Sequence, residues 1–375
     1  MSLLYREATI ADAAQIQHFL HTHWRPNHIL AESIEWLRWQ YESRHQPDKL
    51  NMMLAMATHQ PELAGLLGFI PLNHYHNTPP TTELPHDAWL AIWRVADAWQ
   101  RQEGGAGLAL YHALLQAQGF SSIAAVGINP KVLPFYRLHR FQVERLTHWV
   151  LPNQALPWQE QAERCRWPQA LPTPLTSLTT APVQRLLANH ATDILKAYAD
   201  AWFAPHRSHE APRYAPHKTA DYWLGRYTHH PRYTYWILAC DTLRSAVVCR
   251  WQVLPATPEQ HSRCVLRVID ILGDDAVLCQ ATPLIQQWCQ EEQALYADSY
   301  AYGVDAHAWQ QAGWHPKPHE GTDWVIPNYF EPFVLENITL WGAYKELTSA
   351  FDAQPRWWRL FKGDADQDRP NSLIQ

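Results

Sequence analysis

Residues 102–119 read QEGGAGLALYHALLQAQG. Three glycines in six residues (Gly104, Gly105, Gly107) stand directly before an apolar-periodic run that ends on Gly119. The run predicts a helix over 107–118, and the apolar stretch 88–96 before it predicts a strand. A strand, a glycine-rich turn and a helix N-terminus together make an anion site. The first helical turn leaves backbone N–H groups unpaired, and the helix dipole places partial positive charge there. Without Cβ atoms a phosphate can approach those groups closely. The turn therefore predicts a pyrophosphate across Gly104–Leu108; a plain tight turn is the other reading of the glycines alone. No G-K-[ST] follows, which excludes a nucleoside-triphosphate P-loop, and no GxGxxG fingerprint is present.

A second stretch, NPKVLPFYRLHRF at 129–141, narrows the reading. Asn129 ends a predicted strand (122–128), and Tyr136 lies two helical turns further on, so the two look along one face. That face points back to the glycine turn if the strands at 88–96 and 122–128 are neighbours.

Gln102-x-x-Gly105-x-Gly107 followed by Asn129, Tyr136 and Phe141 resembles the GNAT superfamily, the Gcn5-related acyl-CoA-dependent N-acyltransferases. Val132 stands where the family has a small residue and Arg140 where it has glycine, and the Val95-to-Gln102 spacing is longer than the family's usual one. The hairpin ELAGLLGF (62–69) is similar to the family's central hairpin, and the likeness spans roughly residues 3–150. The resemblance implies acetyl-CoA or another acyl-CoA as co-substrate and no metal. It implies that the backbone of 93–97, Val95 included, pairs with the pantetheine arm. Gln102, Gly104, Gly105, Ala106, Gly107 and Leu108 would hold the pyrophosphate, and Asn129 would bond the cofactor arm. Tyr136 would protonate the leaving thiolate. Asp97 and Glu103 are candidate bases. Trp24, Asn27, His28 and Trp93 are expected on the acceptor side, with loop packing as the other reading of the first three. A looser resemblance, carried by HWRPNHIL (23–30), WLAIWRV (89–95), DWVIPNYFEPF (323–333) and FKGDADQDRPN (361–371), is to proteins of bacterial surface-polysaccharide clusters. It implies a small-molecule amine acceptor, an amino sugar or sugar nucleotide.

The whole chain has 375 residues, 47% of them hydrophobic, enough for two or three packed domains. A net charge of -6 gives no basic footprint for nucleic acid. The start lacks a basic region followed by an apolar core, and the longest apolar run, LAGLLGFIPL, cannot span a bilayer. The expectation is a cytoplasmic protein with no membrane partner. Six cysteines without a CxxC pair read as small buried hydrophobes. His21, His23, His28, His74 and His76 cluster in sequence, but no carboxylate or cysteine completes a zinc pattern.

Six prolines in 151–182 mark a connector. Beyond it, WLGRYTHHP (223–231) echoes WLRWQYESRHQP (36–47), and YGVDAHAWQQAGW (302–314) echoes VGINPKVLPFYRLHRF (126–141). The expectation is an α/β protein of two acyl-CoA N-acyltransferase-like lobes, each a mixed, mostly antiparallel sheet flanked by helices. The boundaries are a catalytic domain at 1–150, a linker at 151–182, a degenerate lobe without the glycines at 183–330 and an extension at 331–375. For the acidic-then-basic end of that extension, Asp366, Asp368 and Arg369 either stay solvated or fold back on the lobe junction. Two other functions stay open: a non-catalytic binding protein of this fold, and an aminoacyl-tRNA-dependent transferase of the peptidoglycan-bridge type, which the charge disfavours.

Overall fold

The computed structural model describes residues 2–59, 62–75, 86–102, 104–156, 165, 182–203, 214–254, 262–319, 324–327, 336–348 and 356–372. Glu103, His76, most of 151–182 and much of 323–333 lie outside them.

The chain opens with β1 (Leu3–Thr9), α1 (Ala13–His23), α2 (Ile29–Glu32) and α3 (Ile34–Tyr41). α2 and α3 are separated at Ser33, whose hydroxyl accepts from the Trp36 N–H at 3.2 Å and caps α3. β2 (Lys49–Ala57), β3 (Leu63–Pro71) and β4 (Asp87–Val95) follow as antiparallel neighbours. β3, LAGLLGFIP, is buried at every residue. Its unbroken apolar run suits a strand covered on both faces, and both α3 and α5 (Ala106–Gln118) pack on it. Between β4 and α5 lies α4 (Asp97–Gln102).

β5 (Ser122–Val126) runs parallel to β4, but the two pair only over Asp87–Leu90 and Ser122–Ala125. Ala91 and Ile92 form a bulge opposite Gly68, which bends β4 away. From Ala91 onward β4 therefore presents an open backbone edge, and a wedge separates it from β5. α6 (Leu133–Leu138), β6 (Gln142–Arg145) and β7 (Thr147–Pro152) complete this half.

The second half contains β8 (Gln184–Leu187), α7 (Thr192–Phe203), β9 (Tyr214–Ala215), α8 (Ala220–Trp223), β10 (Trp236–Cys240), β11 (Ser245–Leu254) and β12 (Arg263–Leu272). Then come α9 (Ala276–Glu291), β13 (Tyr296–Tyr302), α10 (Ala306–Gln311), β14 (His315–Pro316), β15 (Trp341–Glu346), β16 (Trp357–Trp358) and β17 (Leu360–Phe361). Two mostly antiparallel sheets flanked by helices result, the α/β architecture the sequence predicts. One has the order β1-β2-β3-β4-β5-β15-β6 and the other β8-β10-β11-β12-β13-β7-β14. Each has a single parallel pair in the same place, β4/β5 and β12/β13.

The sheets exchange a strand. β7 leaves the first half to pair with β13, while β15 returns from residue 341 to lie between β5 and β6. This departs from boundaries drawn at 150 and 331. Each sheet would be left with unpaired backbone edges if the chain were cut there, because each borrows its sixth strand from the other half.

The last described stretch, 356–372, binds the halves together. In the second sheet β12 and β13 also part beyond Val268 and Ser299, and the chain end fills the gap. Lys362 N–H donates to the Tyr300 carbonyl at 3.1 Å and Gly363 N–H to the Ile269 carbonyl at 3.1 Å. Only glycine fits at 363: a Cβ would stand 2.4 Å from Ile269 Cγ2. Asp364 and Asp270 both pair with buried Lys218, at 2.5 and 2.7 Å. Asp368 pairs with Arg250 at 2.8 Å and accepts from the Tyr235 hydroxyl at 2.6 Å. Further on, Ile29 N–H donates to the Asn371 carbonyl at 2.9 Å. The charged end of the chain folds back on the lobe junction, the second of the two readings its sequence allowed.

Candidate functional site

The N-cap of α5 is Gly105, which has φ −105° and no side-chain oxygen to cap the helix. Its first N–H groups, on Ala106, Gly107 and Leu108, have no partner within the helix. A Cβ built on Gly104 or Gly105 would meet nothing within 4 Å, and one on Gly107 would reach only ordinary contacts, Trp93 Nε1 at 3.7 Å and Val95 Cγ2 at 3.9 Å. None of the three has a positive φ. Neither backbone conformation nor packing therefore requires glycine here, and the open space in front of the amides is what the missing side chains leave. The residues separating Val95 from Gln102 wind into α4, held by buried Trp99, whose Nε1–H donates to Glu62 Oε1 at 3.3 Å. That helix takes up the extra spacing, and Gln102 ends it, exposed to solvent.

Trp93 sits at this mouth on the open part of β4. Its ring stacks on Tyr111 of α5 (5.9 Å, 27°) and meets Phe135 and Tyr136 edge-on at 5.0 and 6.3 Å. The structure therefore places Trp93 beside the glycine turn, with Tyr136 across the wedge. Burial raises the Tyr136 phenol well above its usual pKa, with the Tyr111 phenol adding to the shift. Burial likewise lifts Tyr111 to about 12. Asn129 stands exposed just beyond β5, where its Oδ1 accepts from Lys131 N–H at 3.0 Å and caps the turn leading into α6. Arg140, at the family's glycine position, adopts φ +62°, the left-handed conformation that favours glycine. Val95, Gly107, Trp93 and Tyr136 thus form one connected group, with Gly104, Gly105, Ala106 and Leu108 around it.

The acceptor-side residues are arranged differently. Asp97 is 69% exposed at its side chain and tied to Arg94 at 2.8 Å. Arg94 in turn donates to the His23 carbonyl at 2.8 Å, which brings the end of α1 to the end of β4. Trp24 and Asn27 are exposed and His28 is buried. The His28 Nδ1 accepts from Leu30 N–H at 3.3 Å. Burial, then Arg369 and Arg25, depresses its pKa to about 2, so its imidazole is neutral. Sequence reasoning did not count Asp366 and Arg369 among the site candidates. Both reach this region and are less than a tenth exposed. Their alternating charge, DADQDR, looks the same in a solvated end and in a buried one.

The second sheet has no open mouth of this kind. Asp274 and Asp275 precede α9; Asp274 Oδ1 accepts from Ala276 N–H at 2.9 Å, and Asp275 Oδ2 from Asp305 N–H at 2.6 Å. Two carboxylates stand where a phosphate would have to sit, and residues 362–363 fill the strand gap. Among the described residues, no group of three or more His, Cys, Asp or Glu could hold a metal ion, and no helix is long and apolar enough to cross a membrane.

No protein-family model matches the chain, and no curated protein matches it. Solved structures resemble it at low identity. Yeast (Saccharomyces cerevisiae) N-myristoyltransferase with bound myristoyl-CoA and inhibitors is 8% identical over 92% of this chain and 80% of its own, with a TM-score of 0.47. A candidate acetyltransferase from Pyrococcus horikoshii is 12% identical over 93% and 90%, at 0.46. A GCN5-related N-acetyltransferase from Sphaerobacter thermophilus is 11% identical over 92% and 95%, at 0.41. Likeness at this level assigns no activity to the chain.

Proposed function

We propose that this chain is an acyl-CoA-dependent N-acyltransferase of the GNAT type. It transfers an acetyl group to the amine of a small polar acceptor, an amino sugar or sugar nucleotide in the cytoplasm. The observation that carries the reading is the glycine turn. Gly104 and Gly105 are dispensable to the fold, yet they keep the amides of a 13-residue helix open to an anion. The residues fit the group they would hold. The amides of Gly105–Leu108 would take the pyrophosphate, and the open edge of Ala91–Val95 would accept the pantetheine amides as an added strand. The co-substrate supplies a thioester carbon open to attack by an amine. The protein's part is to hold that carbon beside Tyr136, whose phenol keeps its proton at neutral pH and can give it to sulfur. The second lobe, with Asp274 and Asp275 at its helix mouth and its strand gap filled, serves as scaffold and acceptor wall.

The test is calorimetry of acetyl-CoA against wild type and Gly105→Asp. An aspartate at Gly105 copies what the second lobe already has and sets a negative charge against the phosphates. Affinity should fall at least about 100-fold, a loss of roughly 2.7 kcal/mol. The thermal midpoint should stay or rise slightly, because an acidic residue favours a helix N-terminus by about 0.3–1 kcal/mol. No heat from wild type at millimolar acetyl-CoA would remove the reading.

A further inference from the structure

The reading above lacks a group that takes the proton from the attacking amine. Asp97, exposed and paired with Arg94, is poorly placed to do so. The chain end offers another carboxylate. Gln367 packs on Gly127, just past the end of β5, so closely that a Cβ there would stand 2.1 Å from Gln367 Oε1. The preceding residue, Asp366, is close enough to the buried Tyr41 phenol for its charge to help raise that phenol's pKa, and the phenol lies beside the Ile92 backbone in the β4 bulge. Through Gln367 and its proximity to Tyr41, Asp366 is thus tied to the end of β5 and to the region where β4 turns away, the two strands that border the wedge.

The carboxylate is oriented by its two neighbours in the chain end. Gln367 Nε2 donates to its Oδ1 at 2.8 Å and Arg369 Nη2 to its Oδ2 at 3.2 Å. Its side chain keeps 7% of its surface exposed. On Arg369, on Tyr41 and on Gln40 beside Tyr41, buried polar atoms lack well-formed hydrogen bonds: Arg369 Nε, the Tyr41 hydroxyl and both amide atoms of Gln40. Buried polar atoms ordinarily find partners, and a hydroxylated or amino-bearing molecule would supply them.

We propose that Asp366 binds the ammonium group of the acceptor and accepts a proton from it, in the acyl transfer proposed above. Loss of one proton to Asp366 frees the nitrogen lone pair. That pair forms the C–N bond as the C–S bond breaks, and sulfur takes the proton from Tyr136. The second nitrogen proton returns through water to Tyr136, and Asp366 releases its own to solvent. The charged and titratable groups facing the carboxylate are Arg369 beside it, Tyr41 on α3 and, behind Arg369, His28 at the start of α2. Arg369 pairs with Asp366 at 3.2 Å, and His28, neutral through burial, adds no charge to the region.

The test compares wild type with Asp366→Asn, using acetyl-CoA and the best amine among glucosamine, spermidine and lysine. Acetyl-CoA affinity is measured first by calorimetry, so that loss of the co-substrate site registers separately. The expected result is unchanged acetyl-CoA affinity and a kcat at pH 7 lowered by about 100-fold or more. The deficit should narrow to about tenfold at pH 9.5, where a larger fraction of the amine is already unprotonated. Asp366→Glu should recover part of the activity. A variant as fast as wild type at pH 7, or a deficit that stays constant across pH with normal acetyl-CoA binding, would overturn the assignment while leaving the transferase reading intact.

Discussion

Tyr136→Phe should lower turnover with acetyl-CoA by about 10²- to 10⁴-fold, the span usual for removal of a positioned acid, and leave acetyl-CoA affinity within about twofold of wild type. The substitution deletes one oxygen and keeps the ring. Ring packing against Phe141 (4.9 Å, 82°), Phe135 (5.8 Å, 88°) and Trp93 is retained. Stability should therefore change by less than about 1 kcal/mol, which separates a chemical loss from a folding loss. The pH profile adds a second check. Because burial raises the phenol above its solution value, ionisation of Tyr136 should cause no fall in rate below about pH 10. Turnover equal to wild type would reject Tyr136 as the acid, and a matching loss of acetyl-CoA affinity would make it a binding residue.

The parts of this site legible in sequence are those built from short range. A glycine turn before a helix needs only local geometry, whereas Asn129, read on one face with Tyr136, is exposed and caps a separate turn before α6 while Tyr136 is buried. The structure puts Gly107, Trp93 and Tyr136 together because β4 and β5 are neighbours, as that reading required. Trp93 was expected on the acceptor side. In the structure its ring lies beside Gly107 and stacks on Tyr111 of α5, a direction that alternation along a bulged strand does not give. The strand exchange is invisible for a different reason. WGAYKE at 341–346 has no feature naming β5 and β6 as its neighbours, some 200 residues earlier in the chain. The chain end hides by composition. Acidic residues at 364, 366 and 368 look like a solvated stretch, since Asp is rarely buried without a partner, and the partners Lys218 and Arg250 lie far off in sequence.

Those same partners make Asp368 the residue whose loss should unfold the protein most readily. Asp368 is wholly buried and Arg250 is 3% exposed, and the pair is joined by two-point contact from Nε and Nη2. Forming such a pair gains little net energy, because both charges must leave water. Breaking it removes the Asp368 charge from beside buried Arg250 and the Asp368 acceptor from the Tyr235 hydroxyl. Asp368→Ala should thus cost about 3–5 kcal/mol, against a total stability that for most domains is about 5–15 kcal/mol. Replacing both partners by apolar residues, Arg250→Met with Asp368→Leu, should recover most of that loss, since neither charge is then stranded. The pH dependence has a definite sign. Burial alone would raise the Asp368 pKa, but Arg250 and the Tyr235 hydroxyl outweigh it and hold the net value below that of an ordinary carboxylate. A carboxylate with a depressed folded pKa contributes stability above its unfolded pKa of about 3.9 and loses it as pH falls further. The urea-unfolding gap between wild type and Asp368→Asn should therefore be full at pH 6 and shrink progressively below pH 4. A gap that persists undiminished to pH 2.5, or an alanine variant as stable as wild type, would mean that the ion pair does not anchor the chain end, and that Asp366 is held in place by other contacts.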